Sequence, residues 1–169
     1  MKINWNKFRG WLFGYTFDPL SAGFKAKANC SIKIIRANGR VEQILCHNVN
    51  TTAGLNVARR QLYDPAYALA TTVAQYIAVS IDTATPLAAD TTLASEATQY
   101  GLQRAAGTYS GGGSTGVWNQ VKTFTYTGSS PITLAKSALF DASSTGNMYH
   151  EALFTSTATL NQNDQIHAF

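Results

Sequence analysis

The stretch CSIKIIRANGRVEQILC, residues 30–46, carries the clearest strand signal in the sequence. Apolar and polar residues alternate on both sides of Asn38-Gly39, a dipeptide that favours a two-residue β-hairpin turn. The pattern predicts two antiparallel strands, residues 29–37 and 40–46. A two-residue turn gathers five apolar residues on one face of the hairpin: Cys30, Ile32, Ile34, Val41 and Leu45.

The length of that turn also decides how the two cysteines are related. With a two-residue turn, Cys30 faces His47 and Cys46 faces Ser31, so the thiols point to opposite faces and cannot bond. With a three-residue turn, the cysteines would face each other directly. We predict the two-residue turn and free thiols, which suit a reducing interior at assembly.

The rest of the chain reads as one helix followed by strands. Apolar residues at helical spacing predict a short helix from about residue 53 to 63, capped by Thr51 or Thr52 and stopped by Pro65. The glycine-rich stretch at 109–116 is predicted to be a loop. Further strands are predicted at 75–81, 97–107, 117–127, 132–140, 148–154 and 159–169. About eight short strands and one helix are typical of an all-β fold, here an antiparallel β-sandwich or jelly-roll-like barrel.

Charge is scarce and unevenly spread. Charged residues make up 13% of the chain, against roughly 25% in typical soluble domains. This favours a surface partly covered by partners, with a monomeric β-domain rich in Ser and Thr as the alternative. Residues 1–40 carry a net charge of +7 and the remainder −3. Such a basic end suits an acidic protein surface, and we do not expect nucleic acid as the partner, since nothing else in the sequence supports it.

The N-terminus is unusually aromatic, with six of the chain's 19 aromatic residues among the first 20. Ordering such a segment requires burial of nearly every ring, so we predict that residues 1–28 form an extended docking arm and residues 29–169 the β-sandwich domain. Gly14 and Thr16 interrupt the apolar run, which argues against a signal peptide. The predicted partner-docking residues are Trp5, Phe8, Arg9, Trp11, Leu12, Phe13, Tyr15 and Phe17, and a secondary interface would comprise Arg59, Arg60, Tyr109 and Trp118.

The sequence offers little material for chemistry. No histidine has a partner at metal-ligand spacing, the glycine run lacks the lysine of a phosphate loop, and the nine acidic residues are scattered. We therefore expect no enzymatic activity, no cofactor, no metal and, without a long apolar stretch, no membrane contact. Two weaker alternatives are a Cys30–His47 metal site and a carbohydrate platform built from Tyr100, Tyr109, Trp118 and Tyr126.

Three segments form a recognisable series: HNVNTTAGLNVARRQL (47–62), YIAVSIDTATPLAADTTLASEATQYGLQR (76–104) and ALFDASSTGNMYHEALF (138–154). The first contains Thr-x-Ala-Gly at a helix start, the second Asp-Thr-x-Leu-x-x-Glu before a basic residue, and the third a Ser/Gly turn before Met. In this order they resemble a group of small virion proteins of tailed bacteriophages and, more distantly, the attachment domain of phage tail-collar fibres. The chain departs from that group at Lys136, where an acidic residue is common.

The resemblance implies a β-sandwich in the virion, assembled in the bacterial host cytoplasm, with no catalytic residues to carry over. Among the placements it allows, we prefer a capsid cement or decoration protein that docks through its N-terminal arm. The alternatives are a tail, neck or baseplate component that mounts fibres, and a glycan-binding receptor domain. The expected partners are the major capsid protein or tail and neck subunits, together with further copies of the chain in a homo-oligomer.

Overall fold

The computed structural model describes residues 30–63, 74–111 and 118–168. In these ranges the chain forms nine strands and one helix, and all the strand pairs are antiparallel. The strands are β1 (Ser31–Ile35), β2 (Val41–Asn50), β3 (Tyr76–Ser80), β4 (Ala105–Ala106), β5 (Thr108–Gly111), β6 (Trp118–Thr125), β7 (Ile132–Phe140), β8 (Met148–Leu160) and β9 (Gln165–Ala168), and the helix is α1 (Thr52–Tyr63). The predicted all-β fold class is confirmed.

The nine strands form one sheet that nearly closes into a barrel. Its order is β4-β3-β7-β8-β2-β1-β9-β6-β5. The two outermost strands are separated in sequence by Gly107 alone, so one short stretch of chain joins the two ends of the sheet. Gly107 N donates to Gln75 O at 2.8 Å, and Gln120 Nε2 donates to the same carbonyl at 3.2 Å. Closure of this kind removes the long unpaired edges through which sheets aggregate.

Apolar side chains pack in two places. The main cluster includes Ile32, Ile34, Ile44, Val79, Leu102, Phe124, Leu134, Phe154, Leu160 and Ile166. A smaller cluster contains Ala78 and Ala138, which alternate along their strands with residues of the main cluster and therefore lie on the outer face of the sheet. Leu93 covers this outer face from the loop at 81–104, so the barrel has a second packed layer on one side.

The turn of the first hairpin holds three residues, and the predicted two-residue turn is wrong. Ile35 pairs with Val41, which leaves Arg36 and Arg40 as the closing pair. Gly39 adopts a φ of 84° and its N–H donates to Arg36 O at 2.8 Å. This geometry is a type I turn followed by a glycine bulge, the usual form of a three-residue hairpin loop.

A one-residue change of register turns every side chain of a strand to the other face. Val41 and Leu45, which we predicted to lie with the apolar face, are 55% and 63% exposed, whereas Ile44 is buried. A distant carboxylate holds this register. Asp164 accepts a hydrogen bond from Arg36 Nη1 at 2.9 Å and another from the backbone N–H of Ala37 at 2.9 Å.

The other predicted elements are mostly confirmed, with differences in three places. In the predicted strand at 97–107, only Ala105–Ala106 is a strand; before it, a single bridge pairs Glu96 with Ser80, and Leu102 is buried in the main cluster. The predicted loop at 109–116 begins as strand β5. Strand β8 continues to Leu160, beyond its predicted end, and the last strand starts at Gln165.

Gly54 marks a close approach between α1 and strand β8. Its N–H donates to Thr51 Oγ1 at 3.0 Å, which caps the helix. A Cβ at this position would lie 2.5 Å from Tyr149 Cα and 2.6 Å from Tyr149 O. Alanine is the better helix former by about 1 kcal/mol. We nevertheless expect Gly54→Ala to lower the free energy of unfolding by about 1–3 kcal/mol through overpacking.

Chemical denaturation measures this effect, and Asn56→Ala on the exposed side of the same helix is the matched control. The control should be neutral or slightly stabilising. If Gly54→Ala were also stabilising, the close approach to Tyr149 would be contradicted.

Candidate assembly surfaces

The three segments that resemble phage virion proteins meet on one side of the barrel. Thr52 N donates to Ala88 O at 2.7 Å, which joins the start of α1 to the loop at 81–104. Leu93 of that loop belongs to the same buried cluster as Met148, the first residue of β8. The three segments therefore build one packed layer over the outer face of β3, β7 and β8.

Lys136, in β7, lies buried in this layer with 2% of its surface exposed. Its Nζ donates to Asp82 Oδ2 at 2.6 Å and to Glu151 Oε1 at 2.8 Å. Burial by itself would lower the pKa of Lys136, but the hydrogen bonds to Asp82 and Glu151 raise it above its ordinary value. The lysine therefore stays charged and ties two strands to the covering loop.

Two carboxyl groups, those of Asp82 and Glu151, contact this ammonium, and a third, that of Asp90, acts on Glu151. Burial raises the pKa of Glu151; Lys136 lowers it, and nearby Asp90 raises it further. The hydrogen bond from Lys136 lowers the pKa of Asp82. Within the described ranges, no group of three His, Cys, Asp or Glu residues is arranged to hold a metal ion. The contacts of this charge network fix the position of the loop.

A second ion pair anchors the far end of the same loop. Arg104 donates to both carboxylate oxygens of Glu96, at 3.0 and 2.6 Å. Its guanidinium carbon lies 3.5 Å from the centre of the Phe140 ring, and Nη1 donates to Thr145 O at 2.7 Å. Bidentate pairing and stacking hold a guanidinium in one orientation. Glu96 and Arg104, the acidic and basic residues of the 76–104 segment, therefore have a structural role.

The predicted docking residues, from Trp5 to Phe17, lie outside the described ranges, so their role stays a prediction. Of the predicted secondary interface, Tyr109 on β5 is 67% exposed, and Arg60 is exposed near the end of α1. The side chains of Arg59 and Trp118 are not among the described ones. Trp118 pairs with Gly111, so Trp118 and Tyr109 lie on neighbouring strands. Arg59 and Arg60 lie on α1, which packs against a different strand, β8.

The structure takes Tyr126 out of the predicted carbohydrate platform, leaves Tyr100 and Tyr109 exposed, and separates Cys30 from His47. Tyr126 is only 3% exposed and donates its hydroxyl to Ser130 O, so its ring is not available to stack on a sugar. Tyr100 packs edge-on against that ring, with 6.3 Å between the centroids. The proposed Cys30–His47 pair is also wrong, because the register of β1 and β2 sets Cys30 opposite Cys46, and the next residue, His47, points to the other face of the sheet.

Several exposed apolar side chains remain on the described surface. Val41 and Leu45 lie on the outer side of β2, while Ile81 and Leu87 are 50% and 59% exposed on the covering loop. Scattered exposed apolar residues are ordinary in soluble proteins. They therefore do not by themselves indicate a contact surface. In the described part of the chain, no helix has the length and apolar character needed to cross a membrane.

A family model described as podophage GP4 fiber I protein gp80 matches residues 52–169. The match begins at the first residue of α1 and includes the covering loop, the buried Lys136 on β7 and the strand of its partner Glu151, β8. It extends over more than half of the chain. The chain belongs to this family of phage fibre proteins. A search of the curated proteins found no match.

Membership of the gp80 fibre family confirms the coarser predictions of a phage structural protein and a virion location. It implies contact with other virion proteins. It does not confirm the more distant resemblance to the attachment domain of tail-collar fibres, and the capsid decoration role stays a prediction. The first hairpin and residues 1–29 precede the matched region.

His150, which lies in the region that the fibre-family model matches, should make the stability of the barrel sensitive to acid. It pairs with Asn50 across β2 and β8, and its Nδ1 is buried with no hydrogen-bond partner in the described structure. Burial lowers the pKa of His150 to about 4, from an ordinary value of 6.5. The unfolded chain therefore binds this proton more tightly. The stability that neutral His150 permits is present above pH 6.5 and lost as the pH falls towards 4.

We expect this loss to reach about 3 kcal/mol of the free energy of unfolding. Denaturation curves at several pH values measure it. His150→Gln should flatten the decline below pH 6.5, while His47→Gln, at an exposed position on β2, should leave it unchanged. An equally steep decline in His150→Gln would show that another group is responsible.

Proposed function

We propose that this protein is a component of the tail-fibre apparatus of the phage particle, mounted on a neighbouring virion protein by residues 1–28. The observation that carries the placement is the fibre-family match over residues 52–169. The sequence alone favoured capsid decoration over this placement, and the family match supports the fibre apparatus instead.

The described body has the properties of a rigid mount. Its sheet nearly closes on itself, and its covering loop is held by the ion pairs of Lys136 and Arg104. A body without a long free edge can be placed beside copies of itself without uncontrolled strand pairing. This supports a role in which the barrel is the rigid part of the protein and residues outside the barrel contact the other virion proteins.

The contact segment we propose lies before the matched region. Residues 1–28 contain five basic residues and one acidic residue alongside the aromatic cluster. Aromatic and arginine side chains supply most of the binding energy in protein interfaces, and charge complementarity guides the approach. The receiving surface is therefore an acidic groove on another virion protein, with pockets for Trp11 and Phe13.

The copy number in purified particles tests the placement. We expect an abundance close to that of the tail proteins, and we expect the protein to stay with the tails when heads and tails are separated. Quantitative mass spectrometry, with the major shell protein and a tail-tube protein as internal standards, measures both. An abundance close to that of the major shell protein, retained on tail-free heads, would contradict the fibre placement and support capsid decoration.

A further inference from the structure

The two cysteines lie opposite each other at the open end of the first hairpin. Ser31 pairs with Leu45, and one further step along the ladder sets Cys30 opposite Cys46. Both are partly buried against the same apolar core, and neither is bonded. Opposed residues in an antiparallel pair have Cα atoms about 4.5–5.5 Å apart. This lies within the range of about 4.4–6.8 Å that disulfides span.

The surroundings of the two thiols differ in a way that suits stepwise chemistry. A hydrogen bond from Cys46 lowers the pKa of Cys30 against the opposing effect of burial. The same hydrogen bond, and then burial, raise the pKa of Cys46. Cys30 Sγ also lies 3.3 Å from Ser137 Oγ. Because the Ser137 hydroxyl can hydrogen-bond the Cys30 sulfur, we assign Cys30 as the attacking thiol, with Cys46 directly opposite it.

We propose that Cys30 and Cys46 are a redox-active dithiol that closes to a cross-strand disulfide on meeting a small disulfide such as oxidised glutathione. The Cys30 thiolate attacks one sulfur of glutathione disulfide and releases one glutathione. Cys46 then loses its proton, attacks the Cys30 sulfur of the mixed disulfide and releases the second glutathione. The protein thiols are oxidised, glutathione disulfide is reduced to two glutathiones, and these take up the two protons.

The position of the bond determines its effect. Cys30 immediately precedes β1, so the disulfide ties the base of the N-terminal segment to β2 and encloses the hairpin at 30–46. A covalent loop of this kind stabilises the fold chiefly by restricting the unfolded chain. Assembly in a reducing cytoplasm and release into an oxidising medium would close the bond after assembly. That timing rests on the proposed function, whereas the disulfide itself does not.

The direct test uses full-length protein purified under reducing conditions and then exposed to oxidised glutathione without denaturant. Trypsin cuts after Lys33, Arg36 and Arg40, so the cysteines fall in different peptides. We expect the two titratable thiols to disappear and a non-reducing peptide map to link Cys30 to Cys46 within one chain. Persistence of both thiols, glutathione left on each cysteine, or a bond between two chains would overturn the proposal.

Single substitutions separate the two thiols. Cys46→Ser should stop at a stable glutathione adduct on Cys30, and Cys30→Ser should react more slowly with the same reagent, by about tenfold or more. The opposite order of rates would contradict the role of Cys30 as the attacking thiol. The wild-type peptide map decides for or against the disulfide even if either variant fails to fold.

Purified particles distinguish this proposal from the proposed function. Thiols are alkylated at lysis in one sample and after treatment of the particles with oxidised glutathione in another, and the linked peptide should appear only in the second. Absence of the protein from particles would contradict its virion function but leave the disulfide in the isolated protein standing. Presence of the protein with both cysteines alkylated in each sample would overturn the disulfide alone.

Discussion

Lys136→Met lowers the free energy of unfolding by about 3–5 kcal/mol at neutral pH, the expected cost of leaving a buried charge without its partner. Glu151 is 1% exposed and loses a 2.8 Å contact with the ammonium, while Asp82 loses one of 2.6 Å. Methionine nearly matches the lysine stem in volume, so little of the loss comes from a cavity. Chemical denaturation followed by circular dichroism measures it.

The companion variant removes the charges of both Lys136 and Glu151. Lys136→Met with Glu151→Gln should recover a large part of the loss, because a neutral pair no longer carries the desolvation penalty of an unpaired carboxylate. The penalty of the single variant should also shrink in acid, where Glu151 takes up a proton. Arg40→Met is the control, because that side chain is 73% exposed and its ion pair lies at the surface, and it should change stability by about 0.5 kcal/mol or less. A small effect of Lys136→Met, or no recovery in the double variant, would contradict the charge network.

Trp11→Ala with Phe13→Ala leaves the barrel folded and removes the protein from purified particles. Two aromatic anchors in an interface contribute several kcal/mol, which changes affinity by orders of magnitude. The measurement supplies the variant during infection in place of the wild type and quantifies it in purified particles against the major shell protein. Thermal denaturation of the isolated variant checks that the barrel is intact.

The matched control removes apolar surface from the barrel. Val41→Ala with Leu45→Ala changes two side chains on β2 that are 55% and 63% exposed, and it should enter particles normally. Wild-type amounts of the Trp11 and Phe13 variant in particles would refute docking through the N-terminal segment. Loss of the control variant alone would place the contact on the barrel face.

The first hairpin shows where local sequence stops being sufficient. Alternation predicted both strands, and Asn38-Gly39 predicted a turn at the right place. The register depended on Asp164, which binds Arg36 and Ala37 from 128 and 127 positions away. No local pattern contains that contact, so the two-residue turn was the better prediction from sequence and was wrong.

The covering layer shows the same limit. The strand at 132–140 was predicted with its observed bounds because its signal is local. The partners of Lys136, however, lie 54 and 15 positions away, and no local pattern predicts them. A signal was present, since a lysine in the middle of an apolar strand requires a buried partner. The predicted strand at 97–107 was mostly wrong: the segment leaves β3 after the bridge of Glu96 with Ser80, and Arg104 pairs with Glu96 before β4 begins.

A cryo-electron microscopy reconstruction of the tail, at a resolution that shows aromatic side chains, tests the proposed function most directly. We expect the barrel at the fibre attachment region, with the rings of Trp11 and Phe13 packed into an acidic groove of a different protein chain. A barrel whose N-terminal rings fold back onto their own chain, or one that is found only on the capsid shell, would contradict it.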